Sequence, residues 1–288
     1  MYHPFLLKKG GILMKFTYNG QSTDDFNVLV ASFDFTDELT SGLTKEVIRS
    51  EFNTVNSIPN HMGTKYSEPI TFTRVLVKNP NNDELEPFTE MEIRNIVKWL
   101  TSPKVPMDLL VNKSCNNTEK TYLYKGLFTD IKYKVANGIV GIIFTFTNNS
   151  PFLYEIKEDI KTIEEETTWN YVCDSDEAYE YSYPKMEITY TGESDSTTLS
   201  LTNITDNNKS FSIVLTKDNT ITIDSKKQII TNIDNSLKFT DFMDENGQVY
   251  WLRLVDGMNE LNISSDNYPC EIKITNNEIR KAGELYEY

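Results

Sequence analysis

The chain has 288 residues and is 39% hydrophobic, 12% aromatic and 25% charged, a composition typical of a globular protein long enough for two domains. No stretch approaches the roughly 20 consecutive apolar residues that cross a bilayer, so we expect no membrane partner. The net charge is −15, with no basic stripe, which argues against nucleic acid as a partner because counterion release from phosphates needs clustered Lys and Arg.

The first segment of interest is the N-terminus. Lys8 to Met14 (KKGGILM) could be encoded by a purine-rich ribosome-binding site followed by a start codon. We therefore expect residues 1–13 to be a possible non-native leader and Met14 to be the native start. No apolar run of useful length precedes a cleavage site here, so we expect the protein to be made and kept in the cytoplasm of its host cell.

Residues 14–154 are predicted to form an α+β domain. The β-branched and aromatic run Phe26–Phe35 and the run Ile70–Val77 predict strands. The stretch Thr44–Met62 has no clear period and predicts an irregular arm or a long hairpin. Asn137-Gly138 between two apolar runs is a strong β-hairpin signal.

One helix is predicted in this domain, over Thr89–Ser102. Thr89 and Glu92 have the spacing of a capping box, and Pro103 ends the segment. Its apolar stripe consists of Met91, Ile96, Val97 and Leu100. Trp99 lies beside the stripe, where core packing is favoured over a ligand role.

The charge pattern marks a junction after this domain. Residues 1–154 carry 16 basic and 16 acidic side chains, whereas residues 155–180 carry 2 and 10. We interpret residues 155–182 as an acidic, solvated linker. Residues 183–288 then show many short strand patterns separated by turns, including Val249–Val255, and predict a β-sandwich. The predicted fold class is mainly β.

The residue types argue against an enzyme. The chain has only two histidines, His3 and His61, so a Ser-His-Asp or Cys-His nucleophile or a histidine-based zinc site is poorly supplied. Its three cysteines are widely spaced, at Cys115, Cys173 and Cys270, and fit neither a disulfide framework nor a CxxC metal site. We expect no catalytic residues, no metal and no cofactor. A carboxylate pair of the glycosidase type is the enzymatic alternative, but the densest acidic cluster lies in the expected linker, where water would screen it.

Several segments, in their order along the chain, resemble the distal tail protein family of phages that infect Gram-positive bacteria. They are MKFTYNGQSTDDFNVLV from Met14, then FTEMEIRNIVKWL, SPKVPMDLL, NNSPFLYE, YPKMEI and WLRLVDGMNELNI. No single segment is diagnostic, because each is also ordinary strand or turn chemistry, and the resemblance is carried by their order.

The resemblance implies a structural role at the tip of a phage tail. A member of this family has an N-terminal belt domain that assembles into a hexameric ring, often through an extended hairpin, which we place at Thr44–Met62. It also has a peripheral galectin-like β-sandwich. The implied partners are further copies of the chain, the tail tube protein and tail-associated or receptor-binding proteins, and the implied location is the virion.

A carbohydrate-binding module is the alternative function. Tyr250 and Trp251 are the candidate saccharide-binding residues, since aromatic faces pack on sugar rings. Adjacent strand residues point to opposite faces, however, so at least one of the two is expected to be buried. Core or interface packing is the favoured interpretation of both.

Overall fold

The structure is a computed structural model that describes residues 15–31, 43–49, 61–79, 86–115, 118–232, 242 and 248–281. The chain divides into two compact units. Residues up to Tyr154 belong to the N-terminal unit, and Glu155–Arg280 form the C-terminal unit. The leader expected at residues 1–13 lies outside the described residues, as does the end of the strand predicted over Phe26–Phe35.

The N-terminal unit is an antiparallel sheet with one α-helix. Its elements are β1 (Phe16–Tyr18), β2 (Gln21–Ser22), a 3-10 helix (Thr23–Phe26), β3 (Val28–Ala31), β4 (Lys45–Arg49), β5 (His61–Tyr66), β6 (Thr71–Lys78), α1 (Glu90–Thr101), β7 (Met107–Cys115), β8 (Thr118–Val135) and β9 (Ile139–Asn148). The strand order is β3-β6-β9-β8-β7-β1-β2, and β4 pairs with β5 in a separate two-stranded sheet.

The predicted turn and helix are both present. Asn137 and Gly138 connect β8 to β9 with φ values of 54° and 127°, a left-handed backbone that Asn and Gly tolerate better than other residues. The side chain of Thr89 accepts a hydrogen bond from the Glu92 amide, and the Glu92 carboxylate accepts one from the Thr89 amide, so the capping box is complete.

Helix α1 packs on the sheet through Ile96, Trp99 and Leu100, which are buried. The indole of Trp99 lies parallel to the rings of Phe16 and Phe26, with centroids 5.4 and 4.5 Å away. The core role predicted for Trp99 is confirmed. The predicted stripe was wrong at Met91, which is 61% exposed because it lies nine residues, or about two and a half turns, before the buried Leu100 and so faces the opposite side of the helix.

The C-terminal unit is built from strands. Its elements are β10 (Leu153–Ile163), β11 (Thr167–Cys173), β12 (Lys185–Tyr190), β13 (Ser196–Asn203), β14 (Lys209–Thr216), β15 (Thr220–Asp224), β16 (Ile229–Asn232), β17 (Gly257–Ser265) and β18 (Cys270–Arg280). One sheet has the order β16-β15-β12-β18-β10, and the other has the order β11-β17-β13-β14.

The two sheets of this unit enclose one hydrophobic core. Alternate residues of β12 and β18, such as Ile188 and Ile272, contribute from the first sheet. Leu201 and Leu261 contribute from the second sheet, and all four side chains are fully buried. Period-two burial from two facing sheets defines a β-sandwich. The mainly-β fold class is confirmed.

The structure differs from the linker expected over residues 155–182, because β10 and β11 lie there and belong to the C-terminal unit. In β10, Leu153 and Ile163 are buried, while Ile160 is 61% exposed. The positions between these two ends on the same face hold charged side chains, so neither face of the strand is continuously apolar. The unit begins at Glu155, whereas the sandwich was expected to begin at residue 183.

The segment Val249–Val255 also differs from its prediction as a strand. It makes one isolated bridge, between Leu254 and Ser182, and is otherwise held by side chains. The Asn259 carboxamide, for example, accepts a hydrogen bond from the Val255 amide and donates one to the Val255 carbonyl, both at 2.9 Å. These bonds satisfy the backbone of a segment that lies outside the strand ladders.

Candidate assembly surfaces

Strands β4 and β5 form an antiparallel hairpin arm in the N-terminal unit. Register runs from Lys45 opposite Tyr66 to Arg49 opposite His61, with an irregularity near the far end. Ser67 fixes the near end, because its amide and hydroxyl both donate to the Thr44 carbonyl, at 2.9 and 3.1 Å. This agrees with the long hairpin that the sequence analysis offered as one reading of Thr44–Met62.

The hairpin arm exposes apolar side chains. All residues of β4 are exposed, including Val47 at 46% and Ile48 at 42%, and Met62 of β5 is 67% exposed. A two-stranded hairpin is at best marginally stable by itself in water. Exposed apolar side chains on such a hairpin are typical of a protein interaction surface.

The base of the hairpin arm is joined to the N-terminal unit by an aromatic contact. The ring of Tyr66 meets the ring of Phe152 edge to face, with centroids 4.7 Å apart, and Phe152 is 8% exposed. The Lys45 ammonium lies over the same Tyr66 ring, 4.9 Å from its centroid. The base is therefore anchored, and the apolar side chains further along β4 and β5 are presented to solvent.

Tyr250 and Trp251 are both half-buried and pack against the core of the C-terminal unit. The Tyr250 hydroxyl donates to Asp206 at 2.9 Å, and the Asn203 carboxamide donates to that hydroxyl at 3.3 Å. The Trp251 ring lies 5.7 Å from the ring of Phe242. The packing role that was favoured for both residues agrees with these contacts, and saccharide binding at them stays a prediction.

An ion pair fixes this part of the C-terminal unit. The Arg253 guanidinium donates to both oxygens of Asp206, at 2.7 and 2.9 Å, and the Asp206 side chain is almost fully buried. The hydrogen bond from Arg253 is the main cause that lowers the pKa of Asp206, with Tyr250 contributing a further bond. Burial is the main cause that raises the pKa of Tyr250. These groups are held in fixed positions, with Asp206 ionised at neutral pH.

Among the residues that the structure describes, no group of three or more His, Cys, Asp or Glu side chains could hold a metal ion. No helix in the described ranges is long and apolar enough to cross a membrane.

Sequence reasoning missed two groups of exposed side chains. Val47 and Ile48 lie in a segment without an apolar period, so the sequence pattern did not indicate that their side chains are exposed. Tyr181 and Tyr183 are 43% and 42% exposed, and the alternation of tyrosines in the sequence from Tyr179 to Tyr183 (YEYSY) could have revealed them.

Comparison with known families places this fold in a class. The model of a phage tail protein N-terminal domain matches residues 12–150, and the model of a phage tail C-terminal domain matches residues 152–276. The two matches account for nearly the whole chain and meet at the junction of the two units. The chain belongs to this family of phage tail proteins.

Two solved structures show which tail proteins share the fold. The first is the Dit protein of phage SPP1, described as a paradigm of the hub adsorption apparatus in phages that infect Gram-positive bacteria. It aligns with a TM-score of 0.57 at 12% identity, over 93% of this chain and 100% of that chain. The second is a chain of the phage p2 baseplate in its activated conformation with Sr, with a TM-score of 0.52 at 13% identity, over 94% of this chain and 99% of that one.

These findings confirm the resemblance to the distal tail protein family, since the sequence matches phage tail domains and the fold is that of Dit. A search of curated protein sequences finds no match. The family models and solved structures describe structural components of phage tails, and they point to a structural role.

Proposed function

We propose that the chain is the hub protein of a phage tail tip. Copies assemble through the N-terminal unit into a hexameric ring, which joins the tail tube to the tail-tip or receptor-binding proteins. The observation that carries this proposal is the hairpin arm, with its anchored base and its exposed Val47, Ile48 and Met62. A matching fold in a hub protein of another phage supports the same role.

The charge of the N-terminal unit allows self-association. Residues 1–154 carry equal numbers of basic and acidic side chains, so the N-terminal units of neighbouring copies meet without a net repulsion. Strand edges and exposed hairpins gain backbone hydrogen bonds and apolar contacts when a second copy covers them. In a closed ring every copy has both of these surfaces covered by its neighbours, whereas the two end copies of an open chain each leave one surface exposed.

Substitutions in the hairpin arm test the proposal. In the variant Val47→Thr, Ile48→Thr and Met62→Gln, the two β-branched positions stay β-branched, but the apolar contact area is lost. We expect the apparent molecular mass by light scattering to fall from that of a ring towards that of one chain at the same concentration. Electron micrographs of the unmodified protein should show rings.

A matched control uses exposed apolar residues away from the hairpin arm. Val135, Ile229 and Met258 are 70%, 48% and 58% exposed. The variant Val135→Thr, Ile229→Thr and Met258→Gln should keep the mass of the ring. If the hairpin-arm variant and the control variant both keep the mass of the ring, the hairpin arm is not the assembly surface. If the unmodified protein forms no ring, the proposed function fails.

A further inference from the structure

The net charge of the chain lies almost entirely in the C-terminal unit. Residues 155–280 carry 11 basic and 25 acidic side chains, a net charge of −14, whereas residues 1–154 are balanced. Copies of the C-terminal unit therefore repel one another, and a basic surface is attracted to it. A partner for this unit is a different protein with a basic surface, since a second copy of the same unit would be repelled.

A cluster that we call the tyrosine surface consists of Tyr181, Tyr183 and Arg253. Ser182 holds the two tyrosines in place, because its backbone exchanges two hydrogen bonds with Leu254, at 2.9 and 2.8 Å. The Ser182 hydroxyl also bonds to the buried Asn276. With Ser182 directed inwards, both flanking tyrosines keep more than 40% of their area exposed.

Arg253 is fixed in the same surface. Its guanidinium carbon lies 4.0 Å from the centre of the Tyr181 ring, and its nitrogens bond to both oxygens of Asp206. Lys209 lies 4.0 Å from the same carboxylate. Because these contacts already restrain Arg253 and the Tyr181 ring, a partner that binds here orders few side chains, which reduces the entropic cost of association.

The composition of this surface is that of a protein interface. Tyrosine and arginine are the residue types enriched among those that dominate interface binding energies. The bidentate bond to Asp206 balances the charge of Arg253, and exposed Glu180, which directly precedes Tyr181, balances that of Lys209 in number. The attraction for a basic partner therefore comes from the acidic excess of the unit as a whole.

We propose that the tyrosine surface docks a protein partner through a patch rich in Lys and Arg, contributed by another structural protein of the same tail tip. The tyrosine rings supply apolar area and cation–π contacts, and the acidic unit supplies the attraction that guides the encounter. The proposal rests on the proposed function in one respect, namely that the partner is another tail-tip protein.

Binding of the full-length chain to the individually purified tail-tip proteins of the same phage tests this. Tyr181→Ser together with Tyr183→Ser should weaken binding of one of them at least tenfold. Raising the salt concentration from about 50 mM to 300 mM should weaken binding of the unmodified chain, because screening shortens the reach of the charges. Tyr133→Ser is the matched control, since Tyr133 is 45% exposed and lies in the N-terminal unit, and it should leave binding unchanged.

Three results would overturn the proposal. In the first, the double variant binds the partner as tightly as the unmodified chain does. In the second, the unmodified chain binds none of the tail-tip proteins. In the third, the tyrosines are needed for binding a neutral glycan and not a protein. The mass of the assembled ring is measured on the same samples. If the ring forms but the two tyrosine substitutions leave partner binding unchanged, only this inference is overturned. The absence of a ring overturns the proposed function.

Discussion

Glu155 and Arg280, the first and last residues of the C-terminal unit, form an ion pair with 2.8 Å between the Glu155 carboxylate and Nε of Arg280. Both side chains are only 13–14% exposed. Arg280 also bonds to Glu278, at 2.9 Å, and to the backbone and carboxylate of Asp174. One arginine thus joins β10 and β18 to the chain that follows β11, where the unit begins and ends.

Replacing Arg280 should therefore destabilise the C-terminal unit. Arg280→Ala removes the guanidinium that pairs with Glu155 and with the buried Glu278, and breaking a buried ion pair typically costs about 3–5 kcal/mol. Hydrogen exchange followed by mass spectrometry should show faster exchange in residues 155–280 and little change before Tyr154. Lys185→Ala, which removes an exposed pair with Glu187, should cost less than about 1 kcal/mol. Equal effects of the two variants would contradict this account.

Asp206 should make stability depend on pH in a defined direction. The pKa of Asp206 is lowered in the folded chain, chiefly by the hydrogen bond from Arg253. The ionised carboxylate therefore stabilises the fold above its unfolded pKa of about 3.9, and this stabilisation is lost as the pH falls through the lower pKa of the folded chain. Asp206→Asn should cost about 2–3 kcal/mol at pH 7. Urea unfolding at pH 7, 5, 4 and 3 should show the difference between the two proteins shrinking below about pH 4. A difference that grows as the pH falls would contradict the assignment.

The capping box should set the stability of helix α1. Thr89→Ala removes the side-chain acceptor for the Glu92 amide, 3.3 Å away, and should cost about 1 kcal/mol of unfolding free energy. Thr89→Ser keeps an acceptor and should restore most of the loss. Thermal unfolding of the two variants distinguishes a capping role from a simple loss of volume, since volume alone would make serine resemble alanine.

Gly126 in β8 should tolerate no side chain. A Cβ atom there would collide with the carbonyl oxygen of Thr147 and would lie 2.8 Å from the Cα atom of Asn148, both in the backbone of β9. Gly126→Ala should therefore displace β9 and destabilise the N-terminal unit by about 1–3 kcal/mol or more. Thr145→Ala, in the same strand pair, serves as a comparison. Equal stability of Gly126→Ala and the unmodified protein would show that the strands can move apart without cost.

Local signals made much of the N-terminal unit predictable. The cap at Thr89 and Glu92, the stop at Pro103 and the turn at Asn137-Gly138 each act over a few residues, and each lies where the sequence placed it. Met91 was assigned wrongly because it was added to the stripe for its apolar side chain, although its spacing to Ile96 and Leu100 places it on the other side of the helix.

Strand β10 could not be predicted because its alternate positions hold charges that are paired within the fold. Glu155 meets Arg280, the Lys157 ammonium donates to the Val172 carbonyl at 2.7 Å, and Lys161 lies over the ring of Trp169. Only the tertiary partners make these positions suitable for a half-buried strand. In the sequence they are indistinguishable from a solvated acidic linker.

The candidate surfaces were predictable only in part. Tyr250 and Trp251 stood out by residue type, but the partners of the Tyr250 hydroxyl, Asn203 and Asp206, lie more than forty residues away in the chain. The hairpin arm was one of two structures predicted for Thr44–Met62, whose pattern has no period, and the family resemblance favoured the hairpin. Its apolar exposure became visible only once the pairing of β4 and β5 was known.

Native mass spectrometry of the full-length protein at micromolar concentration tests the central claim most directly. The account predicts an assembly of six chains of 33.2 kDa each, which the hairpin-arm variant shifts towards single chains. A strictly monomeric protein, also in the presence of its tail partners, would contradict it.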